Sequence, residues 1–125
     1  IPSAVLDWDM CTLGDPMMDL GHMLNYWTDS SDGEEWRTVL TMPTWRDGFP
    51  TRKQVVARYA ERTGFDVSEI NWYFVFGSFK LAVILQQIYI RYLRGQTKDK
   101  RFAHFDQRVA GLAKRGAYFS ETSSL

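Results

Sequence analysis

Ala4-Val5-Leu6-Asp7-Trp8-Asp9, followed by Leu13-Gly14-Asp15-Pro16-Met17-Met18-Asp19-Leu20, is the stretch from which the rest of the chain is read. Three apolar residues run into an acidic pair, as a short buried strand does when it delivers carboxylates to a cleft. Gly14 permits a sharp turn, Asp15 is placed to cap a helix, and Pro16 suits that helix's first position. Asp19 follows one turn later on the same side as Asp15. Four aspartates bracketing a strand, a turn and a helix point to a hard cation. Mg²⁺ takes oxygen ligands and is commonly held by one or two carboxylates plus substrate phosphates.

The order of these residues resembles the metal-binding segment of the aminoglycoside phosphotransferase family. These are small-molecule kinases with a protein-kinase-like fold, related to choline kinases. The resemblance implies that Asp7 holds the Mg²⁺ that bridges the phosphates of ATP, as the Asp-Phe-Gly aspartate does in protein kinases. Choline-kinase relatives carry an acid at the position of Asp9 that can reach a second Mg²⁺, solvated support of the turn being the alternative. Asp19 resembles the helix aspartate that braces the catalytic loop through its backbone amides. The resemblance continues through Gly48-Phe49-Pro50-Thr51-Arg52, Arg58-Tyr59-Ala60, Phe79-Lys80-Leu81-Ala82 and Arg94-Gly95-Gln96-Thr97. That later part is most similar to the branch fused to acyl-CoA dehydrogenases in animals. The family's catalytic loop, a His-Gly-Asp run with a following Asn, is not in the chain. Neither are its glycine-rich phosphate loop and ATP-binding lysine. The expectation is therefore a partial domain over residues 1–125, lacking the small lobe, the catalytic loop and the base-like aspartate. Its natural partner would be the N-terminal half of the same protein. Its substrate would be a small molecule with a hydroxyl group, with Trp45 and Tyr73 candidates for lining that pocket.

Length and composition narrow the rest. At 125 residues the chain can form one domain, and 45% hydrophobic with 15% aromatic residues suffices for a packed core. Fifteen basic residues balance fifteen acidic ones, which gives no electrostatic case for nucleic acid or an anionic membrane. The single cysteine, Cys11, cannot make an internal disulfide and fits a reducing, cytoplasmic setting.

Helical periodicity dominates after Pro16. Met17, Leu20, Met23, Leu24 and Trp27 predict a helix to about Thr28, closed by the polar turn Asp29-Ser30-Ser31-Asp32-Gly33. Residues 34–42 can hold a short helix. Thr51 caps a helix over 52–63 that Gly64 stops, with Val55, Val56 and Tyr59 inward. A long helix runs from about Ser68 to Arg94. Its apolar middle suggests a membrane span, but Lys80, Gln86 and Gln87 interrupt it, so it reads as a central helix buried on most sides, Trp72 included. A last helix covers about 102–119, and residues 120–125 are expected to fray. The fold class is thus mainly α, a helical lobe with one short N-terminal strand or hairpin. No later segment offers that strand a partner, so its edge is expected to support self-association.

Two other readings stay open. Asp7-Trp8-Asp9 also satisfies the Asp-x-Asp opening of haloacid-dehalogenase-type phosphatases, with Asp7 as nucleophile. That fold wants Gly-Thr next and several more strands, whereas Met10-Cys11 and then helices follow. In the third reading the aspartates are only caps and turn supports of a non-catalytic scaffold.

Overall fold

The computed structural model describes residues 3–8, 11–39, 42–122 and 125, and the side chains of 38 and 39 are not described. Its elements are α1 (Pro16–Tyr26), α2 (Glu34–Val39), α3 (Arg52–Thr63), α4 (Ile70–Leu93) and α5 (Phe105–Thr122). Two single 3₁₀ turns at Pro43–Trp45 and Lys100–Phe102 complete the order. The chain is mainly α. Among the described residues there is no strand, so the expected strand near residues 4–8 is not formed. Residues 3–8 instead run irregular and exposed. The physical reason is that an extended segment needs backbone partners, and every later element satisfies its own backbone groups within helices. The strand edge expected to support self-association is accordingly not formed either.

Helix ends follow local chemistry. Asp15 caps α1, its Oδ1 accepting from the Met17 N–H at 2.9 Å with Pro16 at the first position. Thr51 and Gln54 form a reciprocal capping box on α3, and Gly64 ends it at φ 72°.

α4 is the axis of the fold, with α1 and α5 packed along it. The crossing of α1 and α4 is close because both carry glycine there. A Cβ on Gly21 would lie 2.6 Å from the Tyr73 backbone, and one on Gly77 would lie 2.5 Å from the Asn25 amide nitrogen. Around this crossing Met17, Leu20, Leu24, Val56, Ile70, Phe74 and Phe119 form the main core, with Val55 and Tyr59 packed at its edge. A smaller cluster of Leu81, Ala82 and Leu112 joins α4 to α5.

Two expectations are corrected here. The C-terminal segment is not frayed from residue 120: α5 continues to Thr122, and Leu125 packs against the main core. Nor is α4 buried on most sides. Its inward residues Phe74, Ser78 and Leu81 are buried, but Trp72 is 57% and Phe79 64% exposed, because α1 and α5 cover one side only. By length and composition α4 is long and apolar enough to cross a membrane. Lys80, within it, is exposed and so needs no buried carboxylate.

Candidate active site

Asp7 is the one non-glycine among the described residues with positive φ, at 67°. This left-handed conformation is open to aspartate more readily than to most residues, and it reverses the chain locally. Two bonds hold the kink: the Trp8 indole Nε1 donates to the Val5 carbonyl at 2.8 Å, and the Cys11 N–H donates to the Trp8 carbonyl at 3.0 Å. The Asp7 side chain is exposed and makes no hydrogen bond or ion pair with the described residues. A carboxylate on a kinked backbone, with no partner among the described residues, suits a cation whose remaining ligands are waters and phosphates. Asp9, the second expected metal holder, lies outside the described residues. Among those described, no group of three metal-ligating side chains converges.

Asp15 uses both of its oxygens within the fold. Besides capping α1, its Oδ2 accepts from the Tyr73 hydroxyl at 2.5 Å. That bond, and then the Met17 N–H, lower the pKa of Asp15, and the same bond raises that of Tyr73. Tyr73 therefore ties the start of α1 to α4. Trp45 lies elsewhere. It follows Thr44, whose hydroxyl accepts from the Thr28 N–H and donates to the Thr28 carbonyl just beyond the end of α1. The two aromatic candidates are thus held by different elements, Tyr73 at the start of α1 and Trp45 beyond its end. Trp45 is instead stacked under Arg37 and Arg46.

Asp19 is exposed in the first turn of α1 and borders a groove of about 500 Å³ between α1 and α3. Leu20, Met23 and Val55 form the groove's floor, and Arg58 and Arg62 stand at its rim. His22, half-buried on α1, has its pKa lowered by burial and then by the Lys80 charge, with Asp19 opposing. Cys11 is a free, exposed thiol, and His104 is exposed.

A buried polar network was not anticipated from the sequence. Arg52, 3% exposed, grips Asp32 through both guanidinium nitrogens at 2.7 and 2.6 Å and donates to the Trp27 carbonyl at 3.0 Å. Its own N–H donates to Asp29 Oδ1 at 2.8 Å, and the Asp29 N–H donates to Asp32 Oδ2 at 2.8 Å. Arg115, 1% exposed, donates to the Asn25 carbonyl at 2.9 Å and stacks on Phe74. Burial, and then the charge of Arg52, lower its pKa to about 10, with Asp32 and Asp29 opposing. Asn25 itself donates to the Gly21 and Phe74 carbonyls and accepts from Ser78. The network floors a polar cleft of about 590 Å³. With Arg52 satisfying the carboxylates, the network locks the Asp29–Gly33 turn to α3.

Comparison with known proteins bears on the same segment. The chain is 32% identical over 122 residues to the mouse (Mus musculus) acyl-CoA dehydrogenase family member 11, covering 94% of this chain. It is 30% identical over 126 residues to the human (Homo sapiens) protein of that name, again over 94% of the chain. It is 36% identical to the mouse family member 10 over 98 residues, 77% of the chain and 9% of that protein. The chain spans about 15% of the length of the family member 11 relatives. No solved structure matches. Residues 2–65, which hold Asp7, Asp15, Asp19 and the Arg52 network's turn, match the family described as "Phosphotransferase enzyme family". The chain belongs to that phosphotransferase family.

Proposed function

We propose that the chain is the C-terminal part of an ATP-dependent small-molecule kinase, in which Asp7 holds Mg²⁺ against the phosphates of ATP. The observation that carries this reading is Asp7 itself: a carboxylate without a partner among the described residues, on a left-handed kink, inside the span shared with the phosphotransferase family. Mg²⁺, when bound, would neutralise charge on the transferring phosphoryl group. The chain's own contribution is to hold one carboxylate at the metal, supported by Asp9, and to fix the segment behind it. Asp15 and Tyr73 pin the start of α1, downstream of Asp7.

The phosphoryl group moves to a hydroxyl of a small molecule, with the base-like aspartate supplied by the N-terminal half of the same protein. The neutral charge balance and the single thiol suit a cytoplasmic protein with no nucleic-acid or membrane partner. The phosphatase alternative loses ground, because its further strands do not occur among the described residues.

By itself the chain should neither transfer phosphate nor bind ATP tightly. Phosphoryl transfer depends on positioning by several groups at once, and Mg²⁺ keeps its waters unless phosphates complete its shell. Calorimetric titration of the 125-residue chain with Mg²⁺–ATP tests this. The expected dissociation constant is weaker than about 1 mM. Joining the chain to a half bearing the His-Gly-Asp run should restore micromolar binding. Micromolar binding by the chain alone would put the nucleotide site among these helices and overturn the reading.

A further inference from the structure

The segment that carries Asp7 is fastened to the helical body at one described place, and a tyrosine of α4 does the fastening. Among the described residues, the hydrogen bonds of residues 3–14 stay inside that stretch: Trp8 to Val5, Cys11 to Trp8 and Thr12 to Leu13. Every described residue from 3 to 16 is exposed. Leu13 touches solvent on all sides and a Cβ on Gly14 would meet nothing within 4 Å, so neither adds an anchor. Attachment begins at Asp15, whose two oxygens do different jobs. Oδ1 accepts from the Met17 N–H at 2.9 Å and closes α1 on itself. Oδ2 accepts from the Tyr73 hydroxyl at 2.5 Å and joins α1 to α4.

The tyrosine is firmly mounted. Its backbone lies at the glycine crossing, where a Cβ on Gly21 would come within 2.6 Å of it, and the adjacent Phe74 is fully buried. Its ring meets Trp72 edge-on, with centroids 5.0 Å apart. The bond to Asp15 lowers the pKa of the acid and raises that of the phenol, so at neutral pH a neutral donor faces an ionised acceptor. Such charge-assisted bonds are roughly twice as strong as neutral ones.

We propose that Tyr73 is a positioning residue for the metal-holding carboxylate: through Asp15, its hydroxyl fixes where the Asp7 segment leaves the helical body. This role presupposes Asp7 as the Mg²⁺ holder. Asp7 stands eight positions before Asp15, and the start of α1 is where the body can set the direction of that stretch. A metal ligand has to be held within about 0.5 Å of its productive place. Groups that orient ligands from behind are worth about 10–100-fold in metal affinity or activity.

Steady-state phosphoryl transfer by a longer protein in which a His-Gly-Asp catalytic loop precedes this chain tests the proposal, with free Mg²⁺ varied at fixed ATP. Tyr73→Phe removes the hydroxyl alone. Asp15→Ser separates the two jobs of Asp15. Serine caps a helix as well as aspartate does, but its one oxygen, on a shorter side chain, serves Met17 and falls short of Tyr73. Each variant should raise the half-saturating Mg²⁺ concentration about tenfold or more and lower kcat, with the acceptor KM and the melting temperature unchanged. Combined, they should lose no more than either alone, because both cut the same bond. Unchanged Mg²⁺ dependence in either variant would overturn the proposal. So would losses that multiply in the double variant, losses that follow a lowered melting temperature, or an effect confined to the acceptor KM, which would put Tyr73 in the acceptor pocket. Asp7→Asn, measured alongside, separates this role from the kinase reading. If it leaves turnover intact, the metal assignment fails and the positioning role with it. If it abolishes turnover while Tyr73→Phe and Asp15→Ser are silent, the positioning role alone fails.

Discussion

Replacing Arg52 by Met keeps the aliphatic stem against Phe74 and Phe119 but removes the cation that Asp32 and Asp29 face. The guanidinium and the Asp32 carboxylate are 4% and 6% exposed, and the bond between them is bidentate. Removing one member of such a buried pair leaves the other charged and unpaired, at a cost of about 3–5 kcal/mol. For 125 residues, at about 2.1 cal/mol/K per residue, that lowers the melting temperature by roughly 11–19 °C. The pH dependence should also invert. In the native chain, burial raises the pKa of Asp32, but the Arg52 hydrogen bond and charge outweigh it and the net shift is downward. A carboxylate depressed in the folded state contributes stability above its unfolded value, and that stability is lost as pH falls through the folded value. Without Arg52, burial dominates and the folded value rises, so acidification from pH 7 toward 4 should relieve the strain. Thermal unfolding at pH 7.0 and 4.5, at one fixed protein concentration, gives both readings. A loss below about 1 kcal/mol, or a variant that weakens further on acidification, would refute the assignment of this pair as the lock between the turn and α3.

The glycine crossing predicts that Gly21→Ala costs about 1–3 kcal/mol, because the added methyl would lie 2.6 Å from the Tyr73 backbone and α1 must shift. Urea unfolding measures this, and a neutral substitution would mean that the helices do not approach so closely. His22 has its folded pKa lowered from 6.5, first by burial and then by Lys80. Its stabilising contribution is therefore full above pH 6.5 and is lost as pH falls below that value. The difference in stability between pH 7.5 and 5.5 should shrink in His22→Gln, and an unchanged difference would assign that slope to other groups.

How much of this was legible in the sequence depended on whether the signal was local. The ends of α3 could be read because Thr51 caps within three residues and Gly64 terminates by its own conformation. The Asp15 cap and Pro16 start of α1 could be read for the same reason. The Arg52–Asp32 pair could not: its partners are twenty residues apart, and the acids look like an ordinary polar turn until α3 folds back onto them. Arg115 reaches Asn25 across ninety residues and gave no local hint. The strand was misread because an apolar run of three followed by acids shows how a segment would pair, not whether a partner is present. The breadth of burial on α4 was overestimated for a related reason. Apolar residues on all sides imply cover on all sides, whereas α1 and α5 cover one side only. As for the site, the sequence singled out Asp7, and the structure adds its kinked backbone.

Everything proposed about chemistry rests on that one carboxylate. The direct measurement is steady-state phosphoryl transfer from ATP by a longer protein in which a His-Gly-Asp catalytic loop precedes this chain, with and without Asp7→Asn. The substitution removes the charge at constant size on an exposed side chain, so the melting temperature should not move. Losses in residues that merely support metal ligands run to about 10–100-fold, so loss at a metal holder should exceed about 100-fold in kcat. Asp9→Asn should cost less. An Asp7→Asn protein that is equally stable and turns over at a near-normal rate would contradict the account at its centre.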